Sequence, residues 1–176
     1  MEELLDILDQ HGNSTGKSEK RSIVHSQGLW HRTVHIYFYR KGSSGIELLV
    51  HLRSKTKDLN PNKWDTRFGG HLKAGDTLEQ GLENELKEEV GIKADPSKLT
   101  AGPVDKRGKF PNNEFTSVYF YQFDGNEDSL TFDDGEVQEV KWMNIDDILK
   151  SITENPEQWS SRSTGFMQIK NGLEKL

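Results

Sequence analysis

The chain has 176 residues, a formal net charge of −6, 16 Gly, 4 Trp, 8 Phe and no Cys. That length suits one domain over residues 1–176 with a short N-terminal extension, 1–20. The acidity excludes a general nucleic-acid coat, and the missing cysteine excludes disulfides, Cys-containing zinc sites and a thiol nucleophile.

No run reaches the ~18 apolar residues of a membrane span. The acidic, amphipathic start MEELLDILDQ is not a signal peptide, so a cytoplasmic protein without membrane contacts is expected. Residues 11–18 (HGNSTGKS) are polar and predict a turn between short elements. Residues 33–40 (TVHIYFYR) and 46–53 (IELLVHLR), joined by GSSG at 42–45, predict a hairpin. A polar loop marked by Asn60-Pro61 covers 54–63, and 64–75 runs from a short strand into a Gly-rich loop. The clearest helix is 77–90. The capping-box pattern Asp76-Thr77-Leu78-Glu79 starts it, with Asp76 the better N-cap residue, and Gly91 stops it. Residues 115–123 (FTSVYFYQF) and 139–143 (EVKWM) read as strands, and 144–152, with Asp146-Asp147 in its first turn, as a second helix. The order strands, helix, strands, helix predicts an α/β sandwich with a mixed sheet.

On the helix 77–90, Leu78, Leu82, Leu86 and Val90 form one apolar stripe. At about 100° per residue, Glu89 falls roughly 40° from its middle, Glu85 lies on its border and Glu88 points further out. Like charges at i, i+4 repel, and a carboxylate beside a leucine stripe is costly unless paired. A hard divalent cation such as Mg²⁺ removes both objections, because it takes oxygen ligands and keeps sites for water and substrate phosphate. The preceding loop, Phe68-Gly69-Gly70-His71-Leu72-Lys73-Ala74-Gly75, lets backbone approach an ion or phosphate closely, and the helix N-terminus favours phosphate as well.

Gly70, Glu85, Leu86, Glu88, Glu89, Gly91 and Ile92 resemble the Nudix box, here spanning residues 70–92. Two positions depart from the family pattern: Asp76 stands where it has Glu, and Asn84 stands where it has Arg. Asn cannot carry the charge with which that Arg orients a box carboxylate, which weighs against full-strength catalysis but not against the fold. Residues 25–35 (HSQGLWHRTVH), 51–65, Gly70-His71, Asn113-Glu114-Phe115 and the strand end at Trp142 resemble the branch of this superfamily that contains isopentenyl-diphosphate isomerase, over roughly residues 3–170.

The resemblance implies a Nudix-type α/β/α sandwich. It also implies metal-dependent hydrolysis of a diphosphate linkage in a nucleoside or other organic diphosphate, with Mg²⁺ or Mn²⁺ on Glu85 and Glu89, assisted by Glu88 and the Gly70 carbonyl. Glu88 and Glu114 are the candidate bases, and Glu85 is a third. Lys20, Arg53, Lys57 and His71 are candidate substrate-binding residues, while Arg67 and Lys73 flank the loop with no assigned role.

In the isomerases a Cys precedes the Gly-His pair, and a metal sits among three histidines and carboxylates. Here Gly69 holds the Cys position, Asn112 replaces one metal carboxylate, and His25, His31 and His71 match the histidines, although His25, His31 and His35 also suit purely structural roles. Two alternatives follow, isomerisation of an allylic diphosphate and a weakly catalytic nucleotide-binding domain. Trp30 and Trp159 suit core packing better than ligand stacking. The expected partner is a small-molecule diphosphate, and a homodimer is the default assembly.

Overall fold

The computed structural model describes residues 2–57, 59–93, 95–132 and 135–176. Strands β3 (His31–Gly42) and β4 (Gly45–Arg53) form the expected hairpin, closed at the Gly42–Gly45 pair. Beside them lie β5 (Trp64–Asp65), β6 (Leu99–Lys109), β7 (Asn112–Gln122) and β8 (Val137–Asn144). The strand path is β5-β4-β3-β7-β6, with β8 also paired to β4. β3 and β7 run parallel and the other pairs antiparallel, so the sheet is mixed.

Period-two alternation sends successive β3 side chains to opposite faces. Val34, Ile36 and Phe38 pack with Leu82, Leu86 and Val90 of α2 (Leu78–Val90). Tyr37 and Tyr39 pack on the other face, against α3 (Ile145–Glu154) and α4 (Ser163–Leu173). Helices therefore cover both sides of the sheet, as an α/β/α sandwich requires.

The N-terminal segment is a separate two-stranded sheet, β1 (Leu4–Leu8) with β2 (Ser14–Lys20), followed by α1 (Arg21–Gln27). Leu5, Ile7 and Val24 give it a small core of its own. Its edge docks on the Gly-rich loop, where the Ala74 N–H donates to Leu4 O at 2.8 Å.

Two local expectations shift. The turn expected over 11–18 closes earlier, between Asp9 and Asn13, and the chain is already strand from Ser14. The α2 capping box sits one residue later than read from the sequence. Thr77 is the N-cap, its hydroxyl accepts from the Gln80 N–H at 3.2 Å, and Gln80 Oε1 accepts from the Thr77 N–H at 2.9 Å. Asp76 is thereby free for another partner. Gly91 ends the helix in the left-handed conformation, φ 69°, as expected. The chain reading of strands, helix, strands, helix had no place for α1, β6 or α4.

Candidate active site

The leucine stripe of α2 fixes the helix azimuth, and with it the direction of the three carboxylates. Glu85 is only 9% exposed, beside the Gly-rich loop. A Cβ on Gly70 would lie 3.0 Å from Glu85 Oε1, so the carboxylate rests against loop backbone that only glycine leaves open. Glu89 is half-buried, and its Oε2 accepts from the Gly69 N–H at 2.6 Å. Glu88 points outward, with its side chain 57% exposed, and pairs with Lys73 Nζ at 2.8 Å. The Gly70 carbonyl accepts from the Val34 N–H at 2.9 Å, which leaves one lone pair.

Burial, and then the neighbouring Glu88, push the Glu85 carboxyl up to about 7. Burial, and then Glu85, push Glu89 up to about 8, against the opposing pull of the Gly69 N–H. Two acids held this way are short of positive charge, because Lys73 serves Glu88 instead. The donor set is all oxygen and already crowded on one side, which fits a hard cation such as Mg²⁺ or Mn²⁺ rather than a soft one.

These carboxylates border a cavity of about 410 Å³ that also takes in Glu3, Arg21, His51, Arg53, Lys57 and Glu136. Of the candidate substrate cations, Arg53 and Lys57 line it and Lys20 does not. Lys20 is exposed at the end of β2, and its neighbour Arg21 occupies the cavity wall. Arg53 is steered by Asp65, 3.6 Å from its Nη1, and by Leu59 O, 3.0 Å from Nη2. Lys57 pairs with Glu136. Burial raises the Asp65 carboxyl, but Arg67, His51 and Arg53 outweigh it and hold it below the ordinary range. Asp65 and Arg67 are thus a buried organiser of the cationic wall. They carry no motif, and Asp65 is recognisable only from its pairing with His51 across β4 and β5.

Glu114 is in a different place. It is not among the residues lining that cavity. Its Oε1 is 3.9 Å from His31 Nε2 and its Oε2 is 3.9 Å from Arg107 Nη1. His25, His31 and His71 come together beside it, with ligand-capable atoms all within 4.8 Å of one another, and His71 also lines the carboxylate cavity. The Leu29 carbonyl lies 2.9 Å from His31 Nδ1, which assigns the proton to Nδ1. His31 Nε2 is then buried with no hydrogen-bond partner, Glu114 standing beyond hydrogen-bond reach. His25 Nε2 and His71 Nε2 are 3.2 Å apart. Burial, then Arg21, lowers His71 to about 3, and burial, then His31, lowers His25. His25 and His71 are therefore neutral imidazoles of the kind that binds borderline metals, and His31 Nε2 faces them. His35 lies apart from it, against Tyr37 in a second cavity. Trp159 is 3% exposed in the core and Trp30 packs on Phe115, so both serve packing.

The chain matches the NUDIX domain family over residues 29–163. It is 33% identical over 155 residues to an uncharacterized Nudix hydrolase of Clostridium acetobutylicum, covering 86% of this chain and 74% of that one. It is also 30% identical over 178 residues to an isopentenyl-diphosphate Delta-isomerase of Photorhabdus laumondii, covering 98% of this chain and 93% of that one. A crystal structure from Deinococcus radiodurans superposes with a TM-score of 0.72 at 20% identity, covering 96% of this chain and 98% of that one; that likeness concerns the fold. Among the described residues, no helix is long and apolar enough to cross a membrane.

Proposed function

This chain belongs to the Nudix family, whose hydrolases cleave diphosphate linkages, and from that premise we propose that it hydrolyses an organic diphosphate with the help of a divalent cation held by Glu85 and Glu89. The observation that carries the proposal is the pair of raised, crowded carboxylates against Gly69 and Gly70. Bound there, Mg²⁺ or Mn²⁺ would neutralise diphosphate oxygens and acidify a coordinated water.

The residues do the rest. Glu85 and Glu89 give up their protons to become ligands, and the free lone pair of the Gly70 carbonyl completes the loop side. Arg53, Lys57 and Arg67 hold the diphosphate charge opposite them. Glu88, exposed at the rim, takes the proton of the attacking water. The new bond is water oxygen to phosphorus, and the bridging P–O bond breaks in line. Glu114, standing with the histidines, is the weaker candidate for base.

A second reading, isomerisation of an allylic diphosphate, is favoured by the assembly of His25, His31 and His71 beside Glu114. Gly69 weighs against it. Its φ is +122°, and a Cβ there would lie 2.2 Å from Val34 O. A side chain able to carry protons at that position therefore has no room on this backbone.

The test is phosphate or nucleotide release from a panel of organic diphosphates with Mg²⁺ or Mn²⁺. Turnover that needs the cation and falls about 100-fold or more in Glu89→Gln is expected, a loss of roughly 3 kcal/mol in transition-state stabilisation. Conversion of isopentenyl diphosphate, or ligand binding with no product, would replace this reading with one of the alternatives.

A further inference from the structure

A second cavity of about 390 Å³ lies on the opposite face of the sheet from α2, between β3, the β6–β7 hairpin and the start of α4. Its charge is the reverse of the first. Arg67, Arg107, Lys109 and Arg162 line it, and Asp105 is the one carboxylate among its described lining residues. The first cavity has six carboxylate residues in its wall, so in a chain of net charge −6 the basic cavity needs a separate explanation.

Internal pairing does not supply one. Arg107 has only Glu114, at 3.9 Å, and neither Lys109 nor Arg162 has an ion pair among the described residues. The start of α4 adds to the same field. Arg162 occupies the N-cap position without a side-chain cap, and Thr164 and Gly165 of the first turn border the cavity, where backbone N–H groups favour an anion.

The floor is mixed. Phe166 and Ile169 are apolar, while His35 and Tyr37 bring an imidazole and a phenol. A purely hydrocarbon chain would leave those polar groups, Lys109 and Arg162 without a counterpart, and Arg107 with only its long contact to Glu114. A ring system bearing an anionic group would satisfy both. Arg67 is the residue that lines both cavities among the described residues, so a ligand held by its guanidinium borders both walls.

We propose that this cavity receives the organic half of the substrate, and that this half carries a further phosphate, held by Arg107, Arg162 and Lys109. The proposal rests on the hydrolase reading for what occupies the first cavity, so its test is a binding experiment that needs no turnover. Adenosine 3′,5′-bisphosphate and adenosine 5′-monophosphate are titrated into the protein in EDTA by calorimetry. The bisphosphate is expected to bind at least about tenfold more tightly. Arg162→Gln, at an exposed position, and Arg107→Gln should each narrow that gap, and the double variant should close it.

In parallel, kcat/KM is compared for NADPH against NADH with Mn²⁺ present. A preference for NADPH that disappears in the same variants is expected. Equal affinities for the two nucleotides, binding of neither, or a preference that survives the double substitution would overturn the proposal. A retained binding preference with no hydrolysis of either dinucleotide would instead count against the hydrolase reading alone.

Discussion

Replacing Glu89 by Gln should stabilise the metal-free protein at alkaline pH and leave it unable to gain from metal. Burial and Glu85 lift the Glu89 carboxyl from 4.5 to about 8. The folded state therefore keeps a proton that the unfolded chain releases above 4.5. Metal-free stability must fall as pH climbs from that value to about 8, because the native state binds more protons across the window. At ~1.4 kcal/mol per unit, the full shift corresponds to roughly 5 kcal/mol. Coupling to Glu85 and the weakening of a charge-assisted bond from the Gly69 N–H reduce the net gain for Gln to about 2–4 kcal/mol. For a chain of this size that is about 5–15 °C in melting temperature. The assay is thermal unfolding in EDTA at about pH 5 and about pH 9, repeated with Mn²⁺. Near pH 5 the two proteins should melt together. Near pH 9 the variant should melt higher in EDTA, and Mn²⁺ should raise only the wild type, by about 2.7 kcal/mol when present at a hundredfold excess over its Kd. A variant that is less stable than the wild type at pH 9 in EDTA, or equally shifted at both pH values, would refute the claim that these carboxylates are held as a cation site.

Gly69 and Gly70 should respond differently to alanine. Gly69→Ala meets rigid backbone at 2.2 Å with φ +122° and should cost about 3 kcal/mol or more in urea unfolding. Gly70→Ala meets only the end of the Glu85 side chain, at 3.0 Å; it should cost about 1 kcal/mol or less yet weaken Mn²⁺ binding in a calorimetric titration. Asn84 Nδ2 donates to Asp76 Oδ2 at 3.3 Å, so the two departures from the box pattern answer each other. Asn84→Arg alone and Asp76→Glu alone should each lower activity, and the double substitution should recover it, with a coupling of about 0.5–3 kcal/mol in a double-mutant cycle. Additive effects would show that the pair is unlinked.

What could be read from the sequence was whatever its local pattern enforces. α2 announces itself by its leucine stripe, its capping residues and Gly91, and the same stripe aims Glu85 and Glu89 before any tertiary contact is known. β3 and β7 are legible because TVHIYFYR and FTSVYFYQF fill both faces of a covered sheet. β2 and β6 are not. STGKSEK is exposed along its whole length, and LTAGPVDKRGK contains Pro103 and two glycines, so pairing with a neighbour, not side-chain pattern, makes them strands. α4 is not legible either, because its start has small and polar residues and its apolar positions, Phe166, Ile169 and Leu173, lie late in it. The capping box slipped by one residue because both Asp76 and Thr77 are competent caps, and only backbone geometry decides between them. The site was half visible for the same reason. Three glutamates in one turn are a local signal. The meeting of His25 with His71, the steering of Arg53 by Asp65 and the use of Arg67 in two cavities are long-range facts that no spacing encodes.

The segment 69–71 organises the whole site, and its residues divide two chemistries. Gly69 and Gly70 face the α2 carboxylates, while His71 borders the same cavity and also meets His25 and His31. Hard oxygen donors and neutral imidazoles prefer different ions, so the two sets need not compete for one metal even though they meet at one loop. Their separation also sorts the candidate bases. Glu114 stands 3.9 Å from His31 and outside the acidic cavity, whereas Glu88 sits on the same helical turn as Glu85 and Glu89, facing solvent. On the proposed reading, an ion held by Glu85 and Glu89 would supply an acidified water, and Glu88 is the carboxylate of that turn left to take its proton. Lys73 Nζ holds Glu88 at 2.8 Å. That contact is exposed and weak, so a bound diphosphate can draw Lys73 away and release the carboxylate to accept the proton. The acidity of the chain is thus arranged, with carboxylates where a cation can bridge them to phosphate and guanidinium groups beyond Arg67, where no metal is needed.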